Sequence, residues 1–206
     1  HNQNIKAMKT TFIAIAAVLF MVPGFAKSAN ANTTRDNAAV VLTNVSNINK
    51  IEVYGNVELY VSSGPADQVK VYNHYYAESA LVQSKKGVLR ISSYKNEKLV
   101  VWVTANQLSA ITAYDNAEIK SFGSLNSVEL NVKLYNNASA ALKLDTYAAS
   151  ISLAENAKAE LSGTTNEYSL TRTPVSNVNS NGLSYAHATE TLNRETKRVA
   201  TEYATL

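Results

Sequence analysis

Asp115 and Glu155 hold the same place in a short pattern that the chain writes three times: Tyr114-Asp115-Asn116-Ala117, Tyr135-Asn136-Asn137-Ala138 and Ala154-Glu155-Asn156-Ala157, with the Asn recurring after 21 and then 19 positions. Two carboxylates presented on one face are the equipment of glycoside hydrolysis, one serving as acid and the other as base. If each repeat advances by one strand spacing, the pair stands roughly 9.6 Å apart, just past the separation used by inverting hydrolases. Two solvated turn acids, the commoner use of such residues, would occupy the same places. Tyr114 and Tyr135 share the preceding place one repeat apart. Stacked, they make either a ladder that only stabilises the chain or a flat platform for sugar rings or another protein, with Asp115 and Asn136 as its polar edge.

Other chemistry is sparse. Beyond the first residues the histidines are His74 and His187 and there is no Cys, so a zinc-type site would have two nitrogens and no thiolate. Neither His lies at a nucleophile-motif spacing from a Ser and an acid. No catalytic set, metal or cofactor is therefore expected outside the Asp115/Glu155 alternative. His74, within Tyr72-Asn73-His74-Tyr75-Tyr76, reads as a polar, aromatic loop or as a small ligand-contacting patch.

The N-terminal region is set apart by its composition. Met8 and Lys9 precede the apolar run 12–22, followed by Pro23-Gly24 and small residues to Ala31, the pattern of a secretory signal cleaved after Ala26 or Ala31. The run is too short to span a membrane, and no Cys follows it for a lipid anchor. Residues 1–31 thus read as upstream residues plus signal, 32–47 as a flexible leader and 48–206 as one domain, destined for the periplasm, the outer surface or the medium. Lys6, Lys9 and Lys27 belong to that signal, so the formal charge of +3 belongs to it as well. The remaining chain is neutral, with no electrostatic footprint for nucleic acid. Without disulfides it must be held by a core and by backbone hydrogen bonds.

The elements that would position the repeated residues read as strands. Ile51-Glu52-Val53, residues 57–61, Val69-Lys70-Val71, 88–91 and 99–103 alternate or run apolar with β-branched residues, and Ser63-Gly64-Pro65 and Lys86-Gly87 separate them. In the second half, short segments at 110–112, 118–120, 127–132, 140–144, 150–153, 159–161 and 168–170 each fit one side of a coil about three strands around, and a period near 20 is the mark of a chain that stacks on itself. In such a coil Asn116, Asn137 and Asn156 form a column at left-handed corners, their amides bonding along it. Asn177, 21 beyond Asn156, and Asn56, 60 before Asn116, continue the beat. An antiparallel sandwich in which Asn merely marks turns is the alternative. The C-terminal stretch 189–206 carries Leu192, Val199, Tyr203 and Leu206 at amphipathic spacing, so it could close the coil as a helix or as a last pair of strands.

The segments 51–59, 87–91 and 100–108, followed by the Asn repeats, resemble the head GIN domain family, DUF2807, over residues 48–185. The resemblance implies an exported bacterial protein of the Bacteroidetes type, folded as an all-β, right-handed parallel β-helix, a single-stranded solenoid with about 20 residues per rung. It implies an adhesion or surface-binding role; with no metal set and no nucleophile in the chain, the protein reads as a non-catalytic adhesion or scaffolding module at the cell envelope, with a cell-surface glycan or envelope protein as partner, and a polysaccharide-active enzyme or a purely structural envelope protein are the other readings. The chain departs from the family by placing Tyr-Asp-Asn and Tyr-Asn-Asn where Gly-rich turns are usual, which Asn tolerates at a left-handed corner.

Overall fold

The structure is a computed structural model that describes residues 40–42, 45, 47–72 and 80–194; the signal expected at 1–31, His74 and the stretch 195–206 lie outside them. Among the described residues there are strands and no helix: β1 (Val40–Leu42), β2 (Lys50–Gly55), β3 (Val57–Ser63), β4 (Gln68–Tyr72), β5 (Ala80–Lys85), β6 (Val88–Ser93), β7 (Leu99–Ala105), β8 (Ala110–Ala113), β9 (Glu118–Leu134), β10 (Ser139–Leu153), β11 (Lys158–Arg172) and β12 (Asn177–Leu192). All belong to one sheet, which curls as a half-barrel. The residue pattern explains the strands. In β3, Val57, Leu59 and Val61 are fully buried while Glu58 and Tyr60 between them stay partly exposed, the period-2 alternation of a half-buried strand.

Repeated segments lie side by side. β9, β10, β11 and β12 are parallel neighbours, with Ser139 opposite both Glu118 and Lys158, and Lys158 opposite Asn177. Residues at matching places therefore share columns: Ala117, Ala138 and Ala157 are each fully buried beside the turns, and Val132, Ile151 and Leu170 fill the next layer. Small residues are needed where the turns pinch the interior. The large aliphatics fill it elsewhere at about 1.5–3 kcal/mol per buried side chain. The segments expected as separate short strands run together as strands of 15 to 17 residues, because the bends between them keep the ladder pairing.

Below β9 the order departs from the chain. β2 pairs with β8 on one side and with β6 on the other, while β3 pairs with β9 and β7. Asn56 is therefore one level from Asn116, with Glu58 opposite Glu118, and not three levels away as its 60-residue separation suggested. The chain spends the intervening residues on β4 and β5 and on β6–β7, which lie on the far side of β2–β3. There β4 and β5 run antiparallel to β7 and β6, and β1 pairs with β4. β1 falls within the stretch read as a flexible leader; its three residues join the sheet edge. At the opposite end β12 pairs with β11 alone among the described residues, and its side chains are mostly exposed, Leu183 being its buried anchor. Thr189–Leu192 continue that strand, so a helix beginning at residue 189 is excluded; the rest of the expected cap lies outside the described residues.

Candidate functional site

The turns between levels carry the repeated residues. Each is closed by a backbone bond across four residues, Ala117 N to Tyr114 O at 3.2 Å and Ala138 N to Tyr135 O at 3.1 Å, and the third repeats the pattern with Ala157 N to Ala154 O at 3.3 Å. The left-handed residue is the first central one: Asp115 at φ 62°, Asn136 at 59° and Glu155 at 57°. Asn116, Asn137 and Asn156, expected to hold those corners, follow it and have no positive φ. Their amides face along the column instead, Asn137 Nδ2 donating to Asn116 Oδ1 and Asn156 Nδ2 to Asn137 Oδ1, both at 3.4 Å. Asn56 occupies the equivalent place but donates to the carbonyls of Lys95 and Asn96 at 3.1 and 3.0 Å. Asn177 is not in the column. It begins β12 opposite Lys158, and a 19-residue step from Asn156 puts Val175 at the turn.

The Tyr residues preceding these corners stack. Tyr114 and Tyr135 lie 4.9 Å apart with rings 7° from parallel, and Tyr54 continues the stack 4.7 Å from Tyr114 at 2°. These separations match the strand spacing, so the rings are held in register by the sheet itself. Tyr54 was missed in the sequence; Tyr54-Gly55-Asn56 repeats Tyr114-Asp115-Asn116, and following the Asn56 match back two residues finds it. Burial pushes the Tyr54 and Tyr114 hydroxyls above their ordinary value, helped by Glu52 at Tyr54 and by Tyr135 at Tyr114. Glu52 anchors the base of the stack: it accepts from Lys50 at 2.8 Å and Arg90 at 2.7 Å, and Tyr54 Oη donates to it at 3.4 Å.

Beside the rings runs a polar line. Asn136 Oδ1 accepts from Asp115 N at 3.2 Å, and Asn136 Nδ2 donates to Glu155 Oε2 at 2.7 Å. The structure thus brings Tyr114, Asp115, Tyr135 and Asn136 together on one surface. Asn136 also fills the level between the two acids, with its amide bonded to one of them, where an inverting pair would need an open gap for the glycosidic bond and a water.

A second aromatic set lies on the strand face that follows the turns. Trp102 stacks on Tyr60 at 4.6 Å, meets the edge of Tyr72 at 6.4 Å and has Phe122 at 5.3 Å. Lys120 stands 5.7 Å over the Tyr60 ring and bridges Glu58 at 2.6 Å, with the Lys98–Glu118 pair alongside at 2.6 Å. Phe122 is 64% exposed and sits in a bulge: Ala141 and Lys143 pair with Lys120 and Ser124, so Ser121, Phe122 and Gly123 oppose one residue of β10. Those two extra residues make the first repeat 21 long and the second 19. Bulges of this kind re-aim a side chain, and here one aims Phe122 at Trp102. His187 lies on exposed β12 opposite Glu167, away from both sets.

The profile of the family described as "Putative auto-transporter adhesin, head GIN domain" matches residues 47–193, and the chain belongs to that family. It is similar to a solved putative adhesin of Bacteroides fragilis at 15% identity, with 76% of this chain and 77% of that one covered and a TM-score of 0.67. A putative adhesin of Parabacteroides merdae is similar at 13% identity, 75% and 77% coverage and TM-score 0.61. A structure named putative lipid binding protein from Parabacteroides distasonis follows at 10% identity, 75% and 78% coverage and TM-score 0.53. At these identities the likeness is one of fold. Among curated proteins none matches the chain. The names of the family and of these structures describe adhesins and a lipid-binding protein and no enzyme. No helix of the described residues is long and apolar enough to cross a membrane.

Proposed function

We propose that this head GIN domain protein is a non-catalytic binding module, exported by the signal at 1–31 to the bacterial cell envelope, where it adheres or scaffolds through the side of the fold that carries Tyr54, Tyr114 and Tyr135. Asp115 and Asn136 form the polar edge of that surface, and the partner is a cell-surface glycan or an envelope protein. We read the scaffold as a right-handed parallel β-helix with about 20 residues per rung. The pairing of Glu118, Ser139, Lys158 and Asn177 on neighbouring strands supports that reading.

The observation that carries the function is the stack itself. Three rings held at 4.7 and 4.9 Å by the ladder beneath them are fixed before any partner arrives, so binding costs them little conformational freedom. Replacing Tyr114 and Tyr135 with Ser removes two of the rings while leaving the buried column of Ala117 and Ala138 untouched. Circular dichroism of the variant should match the parent, and its retention on isolated envelope fractions and glycan arrays should fall markedly. Retention equal to the parent's would instead favour the purely structural envelope role.

A further inference from the structure

The Tyr stack ends at Tyr135, and Ala154 and then Thr173 hold the corresponding places on the next two levels. Ala154 occupies the place above Tyr135, and its N donates to Leu134 O at 2.9 Å just as Tyr135 N donates to Ala113 O at 3.0 Å. The ladder is therefore continuous while the column of rings is not. No aromatic ring among the described residues stacks on the far face of Tyr135, whose ring partner is Tyr114.

What surrounds that place is polar and short. Ser152 and Thr171 face each other across β10 and β11, as do Ser150 and Ser169. These four alternate with Ile151 and Leu170, both buried, so their hydroxyls point outward. Lys133, opposite Ser152 on β9, is exposed and borders the same row. On the turn side stands the exposed Glu155. Its Oε2 takes the Asn136 amide, and its Oε1 has no protein partner among the described residues. One aromatic face at the end of a stack, a floor of Ala154 and hydroxyl side chains, and a carboxylate oxygen at the rim form an apolar surface ringed by groups that donate and accept hydrogen bonds.

We infer that the Ala154 level is a subsite for one hexopyranose ring of a surface glycan, whose C–H face stacks on Tyr135 in the place the next Tyr would take while its hydroxyls bond Ser152, Thr171 and Glu155. A pyranose fits because it combines an apolar face with a polar rim, as a purely apolar chain or an anion does not. The inference rests on the binding reading proposed above and narrows it to one chemical class and one level of the fold. A single ring engaged by one aromatic face binds at about millimolar strength, so affinity for a longer glycan would come from further contacts along the Tyr side.

The test is titration of the isotopically labelled protein with methyl glucosides, galactosides and mannosides, followed by amide chemical shifts. The expected result is a saturable change for at least one sugar, centred on Tyr135, Ser152, Ala154, Glu155 and Thr171. Ala154→Tyr, which extends the stack into the vacancy, should weaken it by about tenfold, comparable to the loss of one aromatic contact at an interface. If Ala154→Tyr does not fold, Tyr135→Leu removes the ring without adding bulk and should give the same loss. Absence of saturable changes with every sugar, changes centred elsewhere, or undiminished binding by these variants would overturn the subsite. Envelope retention separates the two readings. If Tyr114→Ser/Tyr135→Ser abolishes retention and Ala154→Tyr does not, the contact surface stands and the pyranose subsite falls; if neither variant changes retention, the contact surface itself is wrong.

Discussion

Gly163 and Gly123 offer a comparison in which backbone strain cancels and steric fit remains. Both have positive φ, 97° and 81°, and both lie in the long strands of the repeats. An alanine at either pays a left-handed penalty of about 1–2 kcal/mol, offset by about 0.4–1 kcal/mol from the less disordered unfolded chain. Their surroundings differ. A Cβ on Gly163 would fall 2.0 Å from Leu144 O and 2.9 Å from Leu144 N, whereas one on Gly123 would meet nothing within 4 Å. Leu144 is buried and pairs with Gly163 and Leu125 on its two sides, so its carbonyl cannot retreat without disturbing both ladders. Overpacking of this kind costs about 1–3 kcal/mol. Gly163→Ala should therefore lose about 1–3 kcal/mol more than Gly123→Ala, read as the difference in urea midpoints at unchanged m-value. Equal losses would refute the claim that the levels around Leu144 are packed as described.

The remaining expectations are more local. Asn136→Val should cost about 1–2 kcal/mol more than Asn137→Val, because the left-handed backbone belongs to Asn136; thermal melts of the two variants would show the reverse order if the corner were at the repeat Asn. The carboxyls of Glu52 and Glu58 are held below their ordinary value of 4.5, first by hydrogen bonds from Lys50 and Lys120 respectively, against the opposing effect of burial. Since their folded values lie below their unfolded ones, that stabilisation is fully present above about pH 4.5 and is lost as pH falls through the folded values. The urea midpoint should thus drop on acidification less steeply in Glu52→Gln/Glu58→Gln than in the parent, and identical slopes would contradict the assignment. Phe122→Ser removes an exposed ring, so stability should change by no more than about 0.5 kcal/mol. The emission of Trp102, the protein's one tryptophan, should shift to longer wavelength, and unchanged emission would place Phe122 away from it.

The sequence made the strands legible because alternation is written residue by residue: 57–61, 69–71 and 99–103 all fall inside observed strands. It made the stacking of Tyr114 on Tyr135 legible because the motif is repeated in the same words. What it hid depends on partners distant in the chain. The place of β6 and β7 beneath β2 and β3 is a choice among ladder edges that no period records, so the 60-residue gap from Asn56 was misread as three levels. The left-handed residue was displaced by one because Asn is the constant letter, while Asp115, Asn136 and Glu155 vary and yet share the conformation. Asn177 misled for a related reason: a 21-residue step was extended where the ladder steps by 19.

The two surface sets of this protein arise in opposite ways, and that difference indicates where specificity resides. The Tyr stack follows from regularity. Identical residues at identical places in parallel, in-register strands must fall one strand spacing apart, so Tyr54, Tyr114 and Tyr135 stack whether or not anything binds them; the stack supplies a rigid surface, and selectivity must come from what borders it. The informative positions are those where the repeat breaks. Ala154 breaks it in composition, leaving the outer face of Tyr135 without a stacked ring on an unbroken ladder. Phe122 breaks it in length, since two inserted residues carry a large apolar side chain out of β9 and onto Trp102. A Tyr at 154 would add a ring to the stack, and a 19-residue first repeat would match the spacing of the second, so variants that restore regularity at these two places separate binding from folding: loss of binding with an unchanged urea midpoint would assign the breaks to recognition.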